Sequence, residues 1–206
     1  MGQDAYIDYI QSFFRRWAPL YDLFAAPIAY VYSAAVRFAS FPEGTRVLDI
    51  CTGTGQIAKR LAQRGTSVVG VDISEAMLAH AVQRGSHGLF EVARMDVRQL
   101  AFPNRSFEYA IISLALHDMP RKVRLAVLAE AARVSRKVLV LDYELPLTNP
   151  WRAIAWHTIR LFESPYFRQF AREDPRELFR EANFEVVRER KLFAHWFTVF
   201  ELSPRF

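Results

Sequence analysis

Three carboxylates stand at matching places in the first half of the chain. Asp49 closes the apolar run that begins at Val47, Asp72 follows Ser67 to Val71, and Asp96 follows Leu89 to Ala93. Each run has the length of a buried strand. An acid at the end of the second strand is placed to accept both hydroxyls of a ribose; read structurally, Asp72 is a helix-start carboxylate favoured by the helix dipole. Between the first two acids lies a loop of small residues, Cys51-Thr52-Gly53-Thr54-Gly55, whose glycines let a ligand approach the main chain. Farther on, His117 and Asp118 directly follow a fourth apolar run, Glu108 to Leu114. Imidazole titrates near neutrality, so His117 can take a proton from a phenol, an enol or an ammonium group. Asp118 is the second candidate for that chemistry. The structural alternative is that Asp118 caps a helix beginning near Arg121 while His117 only packs there.

Two cofactor classes suit a strand, a glycine turn and a helix. Gly53-x-Gly55-x-x-Ala58 meets the loose dinucleotide pattern, a weak signal by itself. A pyrophosphate would be repelled by the carboxylate of Asp49 beside the turn. S-adenosylmethionine (SAM), a zwitterion with an ammonium group, tolerates it.

Asp49-x-x-x-Gly53-x-Gly55 after a first strand resembles motif I of class I SAM-dependent methyltransferases. The wording Val-Leu-Asp-Ile-Cys-Thr-Gly-Thr-Gly looks most like the ubiquinone/menaquinone C-methyltransferase group. Cys51 stands where many members carry the first glycine, Gln56 where that group often has an acid, and His117-Asp118 where it usually has Arg-Asn. The resemblance implies a SAM site formed by Asp49, Thr52, Gly53 and Gly55, with Asp72 on the ribose and Ile73 against the adenine. It adds Met77 on the next helix, Asp96 accepting from the adenine amino group, and the Val97 N–H donating to a ring nitrogen. Ser113 falls near the methionine part of SAM. Trp-Ala-Pro-Leu-Tyr-Asp is similar to the family's Tyr-Asp segment ahead of the fold, which brings Tyr21 to the cofactor.

The elements that must hold these residues follow from periodicity. Ile7, Ile10, Phe13, Phe14 and Trp17 share one helical face, and Leu23 to Phe38 forms a second apolar helical segment. This prelude cannot belong to a sheet that starts at Arg46, so residues 1–40 are expected to form a helical lid. Residues 41–142 form the SAM-binding core, and residues 143–206 an acceptor-side helix and a C-terminal hairpin of one domain. Ser74 caps the helix that follows Asp72. Lys122 to Arg133 is a helix and Lys137 to Leu141 a fifth strand. Trp151 to Phe162 reads as a helix, Ser164 to Phe170 as a loop near the pocket, and Pro175 to Glu181 as a short helix opened by proline. Phe184 to Arg190 and His195 to Leu202 are the last two strands. The expected fold is α/β, a seven-stranded, mostly parallel Rossmann-like sheet with an N-terminal helical lid.

Composition narrows the classes. One cysteine in 206 residues excludes an internal disulfide and any multi-cysteine metal site, and no metal is expected. The run Leu23 to Val36 contains Pro27 and is too short for a membrane span, and no signal peptide is expected. The net charge of +5 concentrates at Arg121, Lys122, Arg124, Arg133, Arg136 and Lys137. The bland reading is a solvated helix face; the sharper one is weak attraction to a membrane surface or RNA. Nucleic acid is not favoured. The expected partner is a small or lipophilic acceptor, quinol-, phenol- or lipid-like. The chain is expected to be cytoplasmic or peripheral to the membrane, as a monomer or homodimer. A phospholipid or RNA methyltransferase and a non-catalytic SAM-fold scaffold are the competing readings.

Overall fold

The computed structural model describes residues 6–16, 28–85, 88–144 and 164–205. Trp17, Tyr21 and the helix expected over Trp151 to Phe162 lie outside them.

The strand β1 (Arg46–Ile50) is buried from Val47 onward, as a strand covered on both faces must be. It pairs in parallel with β2 (Ser67–Asp72) on one side and β4 (Phe107–Ser113) on the other. β3 (Glu91–Arg94) extends the sheet beyond β2, and β5 (Ser135–Tyr143) extends it beyond β4, both in parallel. A hairpin, β6 (Phe184–Leu192) and β7 (Phe197–Pro204), closes the far edge, with β7 antiparallel to β5 and to β6. The order is β3-β2-β1-β4-β5-β7-β6. Strand order reverses between β1 and β4, and the crevice at their carboxyl ends is where an open α/β sheet binds ligands.

Strand alternation sends successive side chains to opposite layers. Leu48, Ile50, Val138, Val140, Phe200 and Leu202 belong to one core, with α1 (residues 6–16), α5 (Arg121–Val134) and α7 (Pro175–Glu181). Val47, Val68, Leu139, Leu141 and Val199 belong to the other, with α2 (Ala29–Ala39) and α3 (Gln56–Ala62). Helix α4 (Glu75–Arg84) is capped by Ser74, whose hydroxyl accepts from the Met77 N–H. Among the described residues, no helix is long and apolar enough to cross a membrane.

Several boundaries differ from those periodicity sets. β5 begins at Ser135 with no turn between it and α5; the buried Ser135 hydroxyl donates to the Ala131 carbonyl at 2.7 Å and so closes the helix end. β7 begins at Phe197 and not at His195, because Phe193, Ala194 and His195 all take left-handed backbone angles (φ 47°, 50° and 67°) to make the hairpin turn. Within the segment read as a loop, Phe167–Phe170 forms a helical turn, α6, with both phenylalanines buried. A 3-10 turn, Leu116–Asp118, links β4 to α5.

Of the six basic residues from Arg121 to Lys137, four are held in ion pairs, while Lys122 and Arg136 are exposed. Arg124 is fully buried; its Nε donates to the Leu116 carbonyl at 2.9 Å and its guanidinium pairs with Glu173 at 2.8 Å over the Phe170 ring. Arg121 pairs with Glu173 and Glu181, Arg133 with Glu130, and Lys137 with Glu201. Arg124 thus pins the 3-10 turn that carries His117 and Asp118. Arg124→Met should destabilise the chain by about 2–3 kcal/mol, through a buried carbonyl left without its donor. Urea unfolding followed by circular dichroism measures it; a loss under about 0.5 kcal/mol would contradict this role.

Candidate active site

The loop after β1 is built around buried carboxylates. Cys51 adopts a left-handed backbone (φ 58°) where glycine is the unstrained choice. The Thr52 N–H donates to the Val71 carbonyl, which ties the loop to β2. The Thr52 hydroxyl donates to Asp49 at 2.6 Å. Gly70 makes room for that threonine: a Cβ at position 70 would lie 2.8 Å from its hydroxyl oxygen. Gly55, at φ 77°, ends the turn and opens α3, and a Cβ there would lie 2.8 Å from the Phe90 ring.

Asp72 reaches back under the same loop. One oxygen accepts the Gly53 N–H and the other the Ser74 N–H, each at 2.9 Å. Burial pushes its pKa up and those backbone donors pull it down. Each oxygen keeps a lone pair for a further donor. Asp96 behaves differently. Arg98, which the sequence reading passed over, grips both of its oxygens at 2.6–3.0 Å and holds its pKa low. An adenine amino group would share Asp96 with that guanidinium.

These groups border a cavity of about 880 Å³, a volume that includes its open mouth. Of the residues expected at the cofactor, Thr52, Gly53, Asp72, Ile73, Met77, Asp96, Val97 and Ser113 line it. Asp49 and Gly55 do not; they shape the loop from beneath and from its end. Tyr21 lies outside the described residues. The donor set fits SAM: carboxylates for a ribose diol and an exocyclic amine, and net negative charge for a cation.

The other wall comes from α1. Tyr6, Ile7, Ile10 and Phe14, at i, i+3 and i+4 spacing, line the cavity together with Met119 and Val123. Tyr6 and Tyr9 meet Tyr166 edge to face, with centroids 5.7 and 6.2 Å apart. Burial raises the Tyr6 hydroxyl well above its usual range, and the charge of Asp118 adds to the rise. Tyr6 was not foreseen as a site residue, although the helical face that includes Ile7, Ile10 and Phe14 was.

His117 and Asp118 part company here. Asp118 lines the cavity; His117 does not. The imidazole is buried behind the wall, edge-on to Tyr143 and Phe167 at centroid distances of 4.9 and 5.7 Å. Its Nδ1 lies 2.7 Å from Asp142 and its Nε2 3.5 Å from Asp118. Asp142 also accepts the Leu116, His117 and Tyr143 backbone N–H groups. The capping alternative for Asp118 is overturned: α5 starts from Pro120 with no side-chain cap, and Asp118 lines the cavity. Glu144, just after β5, is held by Arg176 and Thr198. Among the described residues, no cluster of three or more His, Cys, Asp or Glu side chains is arranged to hold a metal ion.

Asp49 gives a pH test. It is wholly buried, and burial pushes its pKa up to about 7 against the pull of the Thr52 hydroxyl and the Ala58 N–H. An unfolded aspartate titrates near about 4. Between the two values the native chain holds a proton that the unfolded chain has lost. The Asp49 contribution is therefore fully present below about pH 4 and lost as pH rises through about 7. Denaturation at pH 5 and pH 8 should show Asp49→Asn losing less stability over that interval than the native chain; an equal loss in both would contradict this.

Comparison with known proteins agrees with this geometry. A family model described as a methyltransferase domain matches residues 47–137. The chain is similar to the 2-phytyl-1,4-naphtoquinone methyltransferase of Thermosynechococcus vestitus, 31% identical over 154 residues, which is 68% of this chain and 67% of that one. It is also similar to the phosphatidylethanolamine N-methyltransferase of Cereibacter sphaeroides, 30% identical over 64% of both chains. Among solved structures, the magnesium protoporphyrin IX methyltransferase of Synechocystis PCC 6803 with bound SAH superposes with a TM-score of 0.76 at 18% identity. The match covers 96% of this chain and 99% of that one, a likeness of fold. With a relative above 30% identity matched over two thirds of its length, and a carboxylate-built cradle after β1, the chain belongs to the class I SAM-dependent methyltransferases.

Proposed function

We propose that this enzyme methylates a small lipophilic acceptor of quinol or phenol type, held between the strand ends and α1. The observation that carries this reading is the make-up of the cavity wall. Tyr6, Ile7, Ile10, Phe14, Met119 and Val123 give an apolar, partly aromatic surface, and the carboxylate of Asp118 is set into it. Such a wall accepts a flat apolar ring by burial and fixes its hydroxyl by a hydrogen bond. The naphtoquinone methyltransferase relative points the same way.

SAM supplies an electrophilic methyl on a sulfonium centre that leaves as a neutral thioether. The protein's share is to orient, to exclude water and to take a proton. In this reading Asp72 holds the ribose hydroxyls, while Ile73, Met77 and Val97 pack around the adenine. Asp96 and Arg98 together set the polar edge of that subsite. Ser113, at the end of β4, stands beside the methionine part. The helix α1 covers the reacting centre.

The second reading is an amine acceptor. It is favoured by one observation: Tyr6 and Tyr9 both lie close enough to Asp118 to feel its charge, and rings around a carboxylate suit an ammonium. A panel separates the two. Purified protein with SAM is offered menaquinol- and ubiquinol-type substrates, simple phenols and ethanolamine phospholipids, and SAH is measured. Quinols or phenols should turn over. Turnover confined to amines would replace the first reading by the second, and no turnover with any acceptor would favour a scaffold. Asp72→Ala should weaken SAM binding by about 1–3 kcal/mol in calorimetry, the scale for stranding buried hydrogen-bonding partners; unchanged affinity would remove Asp72 from the ribose.

A further inference from the structure

We propose that Asp118 is the group that takes the acceptor's proton, and that His117 and Asp142 form a buried relay behind it. The inference rests on the methyl-transfer reading above and concerns how that site disposes of a proton.

The geometry begins with Asp142. It is almost wholly buried at the end of β5, and it accepts three backbone N–H groups at 2.8–3.4 Å. The remaining close contact is His117 Nδ1 at 2.7 Å. A carboxylate ion only accepts, so Nδ1 must carry a proton and donate it. That fixes the tautomer: in neutral His117 the Nε2 bears a lone pair. The Nε2 faces Asp118 at 3.5 Å, another acceptor when ionised. A lone pair facing a carboxylate is repulsive, so this junction draws a proton. Asp118 has the cavity on its other side. His117 is 4% exposed and does not reach the cavity itself.

For a hydroxyl acceptor the step balances as follows. The acceptor's O–H bond breaks and its proton passes to Asp118. A new bond forms between the acceptor and the methyl carbon, while the C–S bond breaks with its electron pair left on sulfur. The proton then settles between Asp118 and His117 Nε2, giving an imidazolium flanked by two carboxylates. Release of that proton to water resets the site. Asp118 is the catalytic residue, and His117 and Asp142 are positioning residues. The other polar groups packed around the relay are Tyr143 from β5, Tyr6 and Tyr9 from α1, Tyr166 ahead of α6, Cys51 from the β1 loop, and Arg124 with Glu173. Phe167 and Phe170 shut out water on the far side.

Two measurements test the relay. The first needs no acceptor: nitrogen NMR of the His117 ring in SAM-loaded protein, followed with pH. Asp118→Asn and Asp142→Asn should each lower the midpoint of His117 by about 1–3 pH units, the range for losing a neighbouring opposite charge. Asp142→Asn should also disturb the Nδ1–H tautomer. A midpoint unmoved in Asp118→Asn would overturn the proposal. The second uses the best acceptor of the panel. Asp118→Asn should lower kcat on the order of 10²–10⁴-fold with SAM affinity kept, and Asp142→Asn should move the acidic limb of the rate profile to lower pH. Retained kcat in Asp118→Asn would overturn it. If the native enzyme turns over no acceptor, the methyl-transfer reading fails and the NMR measurement alone decides the relay.

Discussion

A carboxylate buried at the carboxyl end of a parallel strand must be given donors, and this structure is organised around that demand. Asp49, Asp72 and Asp142 sit at or next to the ends of β1, β2 and β5, and all three are nearly or fully buried. Taking such a group out of water without hydrogen-bonding partners is costly. The donors come from the loop after the same strand, Thr52 for Asp49 and Ser74 for Asp72, or after the neighbouring strand, Gly53 for Asp72 and Leu116 and His117 for Asp142. Each loop is thereby fixed relative to the sheet, and the cavity between the loops acquires its shape and its negative charge from one set of interactions.

The cofactor half of the site was legible because its determinants are local. A strand-length run, an acid and a small-residue loop recur along the chain, and each acid serves the loop beside it. That pattern yielded the sheet class and most of the cofactor lining. Asp49, whose place just before the loop suggested contact with the ligand, is wholly buried and does not line the cavity. Strand alternation turns it under α3, where it works through Thr52. Arg98 escaped notice because an arginine two residues after Asp96 looks like an ordinary exposed charge until the turn folds it back onto both oxygens.

The acceptor half was less legible because its contacts span the chain. Tyr6 and Tyr166 meet across 160 residues of sequence, and no periodicity links them. Arg124 looked like one of a row of surface charges; its partner Glu173 lies in a segment with no helical signal of its own. The adjacency of His117 and Asp118 in sequence hid their division of labour. One turn of 3-10 helix places the first behind the wall and the second on it. The contact between His117 Nδ1 and Asp142 joins residues 25 apart in sequence, and no local pattern announces it.

The central claim is that buried strand-end carboxylates make a cradle for a cationic nucleoside ligand and exclude a pyrophosphate. Equilibrium binding of SAM and of NAD to the same protein, measured side by side by calorimetry, tests it most directly. The account predicts SAM binding with a Kd in the range of about 1–100 µM, on the order of 5.5–8 kcal/mol, and no NAD binding at millimolar concentration. NAD bound and SAM ignored would contradict it.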